Sequence, residues 1–128
     1  MLEDEMFENK PPSPRKHNRK PEAKVQKEII AWLLEHRVVL AVTDAGALAR
    51  VGLGISCGIP RGWPDITGVV RGGRFLGVEC KAPGGRQSKD QQAVERSIRG
   101  NGGHYCLAQS VEDVKNYFRD HLLLLDIV

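Results

Sequence analysis

Asp65-Ile66-Thr67-Gly68-Val69-Val70-Arg71-Gly72-Gly73-Arg74-Phe75-Leu76-Gly77-Val78-Glu79-Cys80-Lys81 is the stretch on which the fold turns. Two β-branched, apolar runs flank Arg71-Gly72-Gly73-Arg74. A Gly-Gly pair supplies the positive φ angles of a tight hairpin turn, so the two runs read as antiparallel neighbours. Pairing across that turn brings the start of the first strand beside the end of the second. Asp65 and Glu79 then meet at the open end of the hairpin. Strand side chains alternate faces, so Glu79 and Lys81 share one side and Cys80 takes the other.

Working outward, Pro21 opens a helical pattern in which Val25, Ile29, Trp32 and Leu33 recur at helical spacing to about Glu35. Val38 to Val42 reads as a short strand. Gly46, Gly52, Gly54, Gly58 and Gly62 mark a long glycine-rich connection, and loops of that length in a compact domain are commonly functional. After Lys81, Pro83-Gly84-Gly85 breaks the chain. Ser88 with Gln91 three residues on matches a capping box, predicting a helix to about Arg99 that stops at Gly100-Asn101-Gly102-Gly103. Tyr105 to Ala108 reads as a strand. Ser110 and Asp113 start a last helix, whose apolar stripe is Val111, Val114, Tyr117 and Phe118. The expected class is α/β, in the order α-β-β-β-α-β-α, with a mixed central sheet flanked by helices. No internal repeat is visible.

The chain has 128 residues, enough for one domain with a real core. Residues 1–20 mix Glu3, Asp4, Glu5 and Glu8 with Lys10, Arg15, Lys16, Arg19, Lys20 and three prolines. Almost nothing there can be buried, so a disordered charged tail is expected, with residues 21–128 forming the domain. Hydrophobic residues make up 41% and charged residues 27%, the balance of a soluble globular protein. The net charge of +3 permits a nucleic-acid partner without requiring one. Cys57, Cys80 and Cys106 are odd in number and form no CxxC, which argues against a disulfide framework or a cysteine zinc site. His17, His36, His104 and His121 form no close ligand motif. Leu122–Leu125 is the longest apolar run at the C-terminal end and is far too short for a membrane span. A cytoplasmic protein with no membrane partner is the expectation.

Two carboxylates held close repel, and a divalent cation removes the conflict. Mg²⁺ takes hard oxygen ligands, typically one or two carboxylates with water and substrate phosphate. Lys81 adds a positive charge that can orient a water or stabilise charge on a phosphate. A Glu-x-Lys on a strand is by itself a weak signal, because exposed strand faces often carry such pairs. Here Gly62-Trp63-Pro64-Asp65 precedes the hairpin, and Ser88-Lys89-Asp90-Gln91 follows it.

With these motifs, residues from about Pro21 to Asp113 resemble the virus-type replication-repair nuclease (VRR-NUC) domain of the PD-(D/E)XK nuclease superfamily. Cys80, where an aliphatic residue is commoner, is a small departure. The resemblance implies an α-β-β-β-α-β core and hydrolysis of DNA phosphodiester bonds with Mg²⁺ or Mn²⁺. It also implies metal binding by Asp65, Glu79 and the backbone carbonyl of Cys80. Lys81 is then the motif lysine and Gln91 the glutamine of the following helix. Gln91 keeps a second reading, as the capping-box partner alone. The family's acidic residue on the first helix falls on Glu22, acting on the metal directly or through a water. Glu22 shares the inward stripe of Val25 and Ile29, whereas Glu28 turns away. A favourable charge at a helix N-terminus is the alternative for Glu22, and Gln26 is a further first-helix candidate.

Arg50, Arg61, Arg71, Arg74, Arg86 and Lys89 flank these residues in sequence and are the candidate DNA contacts. Stand-alone members of the resembled family act as dimers on branched DNA such as four-way (Holliday) junctions, in bacterial or phage-infected cells. A homodimer using Leu122–Leu125 and Ile127-Val128 is therefore expected, unless that segment packs on its own core. Two rival readings are a nuclease-like fold that binds DNA without cutting, and a nucleotide-binding enzyme suggested by Gly52-x-Gly54. The latter lacks the lysine and spacing of a phosphate loop.

Overall fold

The computed structural model describes residues 19–43 and 59–124. Its elements are α1 (Arg19–Glu35), β1 (Val39–Val42), β2 (Ile66–Val70), β3 (Arg74–Cys80), α2 (Lys89–Gly100), β4 (His104–Ala108) and α3 (Val111–Asp120). The predicted order is the observed one. Residues 1–18 of the expected tail, the glycine-rich stretch 44–58 with Arg50 and Cys57, and residues 125–128 lie outside the described residues.

One boundary is corrected. Helix α1 begins at Arg19, so Arg19 and Lys20 belong to it and not to the tail. Pro21 is tolerated there because the first backbone N–H groups of a helix have no intrahelical partner to lose.

The four strands lie in the order β1-β2-β3-β4. β1 and β2 are antiparallel, as are β2 and β3, while β4 runs parallel to β3, making the sheet mixed. The hairpin turn has Gly72 at φ 86° and Gly73 at φ 75°, the left-handed pair that the sequence predicts. In the β2–β3 register Ile66 faces Val78 and Val70 faces Arg74. The next step of that ladder sets Asp65 opposite Glu79.

Alternation divides the sheet into two faces. Leu76, Val78 and Cys80 of β3, with Ile66, Val70, Cys106 and Ala108, point to one side. Val25, Ile29 and Leu33 of α1 and Val114 and Phe118 of α3 cover them, forming the main core. Each such fully buried Leu, Ile or Phe contributes about 1.5–3 kcal/mol. Trp32 meets Phe118 edge-on at 5.2 Å, tying α1 to α3.

Helix α2 covers the other face. A Cβ on Gly77 would lie 2.8 Å from Pro64 Cγ and 3.4 Å from Ile98 Cδ1, so this strand position has room only for hydrogen. Cys80 and Cys106 are free and buried. Burial raises both thiols, that of Cys106 to about 12, so they serve packing. No helix among the described residues is long and apolar enough to cross a membrane.

Leu123 is part of the core, with 6% of its surface exposed, so it cannot serve the expected dimer surface. Leu122 and Leu124 remain exposed. The other residues of that expectation lie outside the described chain.

Candidate active site

Asp65 sits immediately before β2, in a loop fastened on two sides. Thr43 N–H donates to the Asp65 carbonyl at 2.7 Å, and Thr43 Oγ1 donates to the Pro64 carbonyl at 2.8 Å. Gly62 turns the chain with φ 81° and presses against the start of α2. A Cβ there would lie 2.5 Å from the Asp90 carbonyl carbon and 2.7 Å from the Gln91 nitrogen. Gly62 is therefore what lets the Asp65 loop dock on the end of α2 that carries Gln91.

Glu79 is 2% exposed and points to the α2 face. The Cys80 backbone N–H donates to Asp65 Oδ2 at 2.9 Å, which places the two carboxyl groups side by side. Gln91 Nε2 donates to Glu79 Oε2 at 2.9 Å, and Lys81 Nζ lies 3.7 Å from the same oxygen. Glu79 Oε1 is buried, and among the described residues no N–H group donates to it.

The electrostatics follow from this crowding. Burial, then the Asp65 charge, a hydrogen bond with Asp65 and the Glu22 charge push the Glu79 carboxyl up to about 9. Lys81 pulls the other way and is outweighed. In the absence of a cation the Glu79 carboxyl thus resists ionising and holds its proton against Asp65.

Gln91 completes the helix cap and also reaches Glu79. Its Oε1 accepts from Ser88 N–H at 2.8 Å while its own N–H donates to Ser88 Oγ at 3.1 Å, completing the capping box. Because the cap holds Oε1, the amide nitrogen is the end directed at Glu79. Glu22 is half-buried in the first turn of α1, and its charge acts on both Glu79 and Cys80. Gln26 is half-buried one turn on, and Glu28 is exposed, as helical geometry predicts.

The basic candidates divide by position. Arg86 and Lys89 are exposed on the loop and first turn leading to Gln91. Arg61 is exposed and paired with Asp90 at 3.3 Å. Arg71 and Arg74 stand at the hairpin end, the length of β3 away, or roughly 20 Å. They flank the carboxylates in sequence but not in space.

Sequence reasoning passed over Gln87. Its Nε2 donates to Tyr105 Oη and Glu95 Oε1, both at 3.0 Å, fastening the loop before α2 to β4. Its place one residue before the capping serine is the only signal it gives.

Among the described residues no group of three or more His, Cys, Asp or Glu side chains stands ready to hold a metal. The oxygen donors at hand are the carboxylates of Asp65 and Glu79 and the backbone carbonyls beside them. Two carboxylates are within the usual number for Mg²⁺. The buried Glu79 Oε1, which no N–H reaches among the described residues, and the carboxyl proton held against Asp65 are features that a cation would relieve. No protein-family model matches the chain, and the searches of curated proteins and of solved structures return no match either.

Proposed function

We propose that the chain is a Mg²⁺- or Mn²⁺-dependent endonuclease that hydrolyses DNA phosphodiester bonds, with branched DNA such as the four-way junction as its preferred substrate. The observation that carries the reading is the Asp65–Glu79 pair, a buried carboxyl and its neighbour at a strand end, with Lys81 and Gln91 on the same oxygen. Glu79 is buried against a second carboxylate, that of Asp65, an arrangement characteristic of functional sites. The resemblance of the 62–65, 79–81 and 88–91 motifs to the VRR-NUC domain of the PD-(D/E)XK superfamily supports the same reading.

In this proposal Asp65, Glu79 and the carbonyl of Cys80 hold the cation. It supplies Lewis-acid polarisation of the phosphate and an acidified water. The chain's own groups do the rest. Lys81, its side chain 14% exposed, sets a positive charge against a phosphate oxygen as negative charge develops there. Gln91 fixes the Glu79 carboxylate through a hydrogen bond whose geometry the helix cap determines. Glu22 adds negative charge that strengthens cation binding. Arg61, Arg86 and Lys89 stand at the same end and offer contacts to the phosphates of the strand being cut. The protein acts as a homodimer, two sites cutting symmetric strands of a junction in the cytoplasm of a bacterial or phage-infected cell.

The test is cleavage of labelled four-way junction, flap, single-stranded and linear duplex DNA with Mg²⁺ or Mn²⁺. Cutting is expected with either ion and is lost in Asp65→Ala and Glu79→Gln, while circular dichroism shows both variants folded. Cutting that survives both substitutions sinks the assignment. Tight binding without cutting by the unaltered chain points instead to a DNA-binding module.

A further inference from the structure

Away from the carboxylates, at the hairpin end of the sheet, a second group of side chains converges. A pocket of about 330 Å³ is lined by Arg71, Arg74, His104, His121, Leu122 and Leu123. Four of these six can carry positive charge, and none is acidic.

Strands β3 and β4 and the end of α3 build it. His104 starts β4 and pairs in register with Leu76, two residues after Arg74 on β3. By alternation Arg74 and His104 lie on the face covered by α3. From α3, Tyr117 Oη meets His104 Nδ1 at 2.9 Å, and the Tyr117 ring stacks on His121 at 3.9 Å. The two imidazoles are 5.6 Å apart. His121 Nδ1 is 2.9 Å from the Tyr117 carbonyl. A carbonyl can only accept, so Nδ1 bears the proton and Nε2 is the atom left for another partner. Tyr117 similarly occupies Nδ1 of His104. Each ring is thus held by one nitrogen, with Nε2 free of that contact.

Among the described residues no carboxylate pairs with the two arginines of this pocket. Arg61, Arg99, Lys115 and Arg119 each have a carboxylate partner. Arg74 forms no ion pair among the described residues, and Arg71 donates only to the Leu124 carbonyl, at 3.4 Å. Asp120, the acid next to His121 in sequence, is engaged with Arg119 at 4.0 Å and lines the neighbouring groove instead. Burial lowers His104, with smaller contributions from the neighbouring His121, Arg74 and Arg99.

We propose that Arg71, Arg74, His104 and His121 form an anion site that takes a phosphate group, roughly 20 Å from Asp65 and Glu79 along β3. Two guanidinium groups, with the Nε2–H groups that the two rings present when protonated, match the several oxygens of a phosphate. The group can be a free phosphate or a phosphodiester of a nucleic-acid backbone. The assignment stands without the nuclease reading, since no part of it uses the carboxylate site.

Imidazole resonances of the full chain, followed by NMR at pH 6.5 and constant ionic strength with a chelator present, test it. One arm titrates inorganic phosphate and the other a short DNA duplex. A saturable shift of His104 and His121 that leaves His36 unmoved, and is weakened at least fivefold in Arg74→Ala, establishes the site. Response to phosphate alone identifies a free anion; response to duplex at lower concentration identifies the backbone. The site is refuted if neither ligand moves the two histidines, if the shift is unsaturable, or if Arg74→Ala leaves it unchanged. None of these readouts involves cleavage, so a chain that cuts DNA but fails here loses only this site.

Discussion

Replacing Glu79 with glutamine is expected to make the metal-free protein more stable, not less. In the folded chain the Glu79 carboxyl is pushed up to about 9 from an ordinary 4.5, chiefly by burial and then by Asp65. Between those two values the folded state holds a proton that the unfolded chain releases. A raised carboxyl of this kind contributes stability that is fully present below pH 4.5 and is lost as pH rises toward 9. Each pH unit in that window costs about 1.4 kcal/mol, so at pH 7 the cost is up to about 3 kcal/mol. Glutamine is neutral in both states. Its oxygen can still accept from Gln91, and its amide can donate to Asp65 in place of the carboxyl proton. Melted in chelator at pH 7, Glu79→Gln should therefore exceed the parent by up to roughly 12 °C, at about 4 °C per kcal/mol for a domain of this size. At pH 4.5 the two should melt together. Mn²⁺ at about a thousand times Kd should reverse the order, because only the parent gains binding energy, about 4.1 kcal/mol at that concentration. A variant that is less stable than the parent by the same amount at both pH values would refute the reasoning, since Glu79 would then be an ordinary packed polar group.

Other substitutions probe the parts that position the site. Gly62→Ala forces a Cβ to within 2.5 Å of the Asp90 backbone at a left-handed φ, and should cost at least about 2 kcal/mol in urea denaturation together with a loss of Mn²⁺ affinity by calorimetry. Ser88→Ala removes one half of the capping box and should cost about 1 kcal/mol in thermal melting. Phe118→Ala, emptying a fully buried site between α1 and α3, should cost about 3–5 kcal/mol by the same measurement. Arg37 ends α1 at φ 63°, where Val38 N–H bonds back to the Leu33 carbonyl, so Arg37→Gly should stabilise by about 0.5–1 kcal/mol in denaturant titration.

What could be read from the chain follows from how local the physics is. The hairpin was legible because alternation, β-branched residues and Gly72-Gly73 all act within a few residues, and they bring Asp65 beside Glu79 without help from elsewhere. Ser88 and Gln91 were legible for the same reason. What was not legible depends on contacts between distant segments. Thr43 fastens Asp65 and Pro64 from the end of β1, and Gly62 docks on α2, yet neither carries a local pattern that says so. Arg71 and Arg74 mislead in the opposite sense: close to the carboxylates in sequence, they are carried off by the length of two strands. His104 and His121 lie 17 positions apart, the first on β4 and the second at the end of α3, so only the packing of α3 on the sheet unites them.

The double engagement of Gln91 has a consequence for which amino acids its position can hold. Glutamate is as good a third residue for a capping box as glutamine, and it suits the positive end of a helix better. At position 91, however, it would aim another carboxylate at a buried carboxyl that already resists ionising beside Asp65. Alanine would leave Ser88 N–H without its partner and Glu79 Oε2 with Lys81 alone. Asparagine is one methylene too short to keep both contacts. The helix start and the carboxylate pair, each tolerant of several residues alone, together leave room for one.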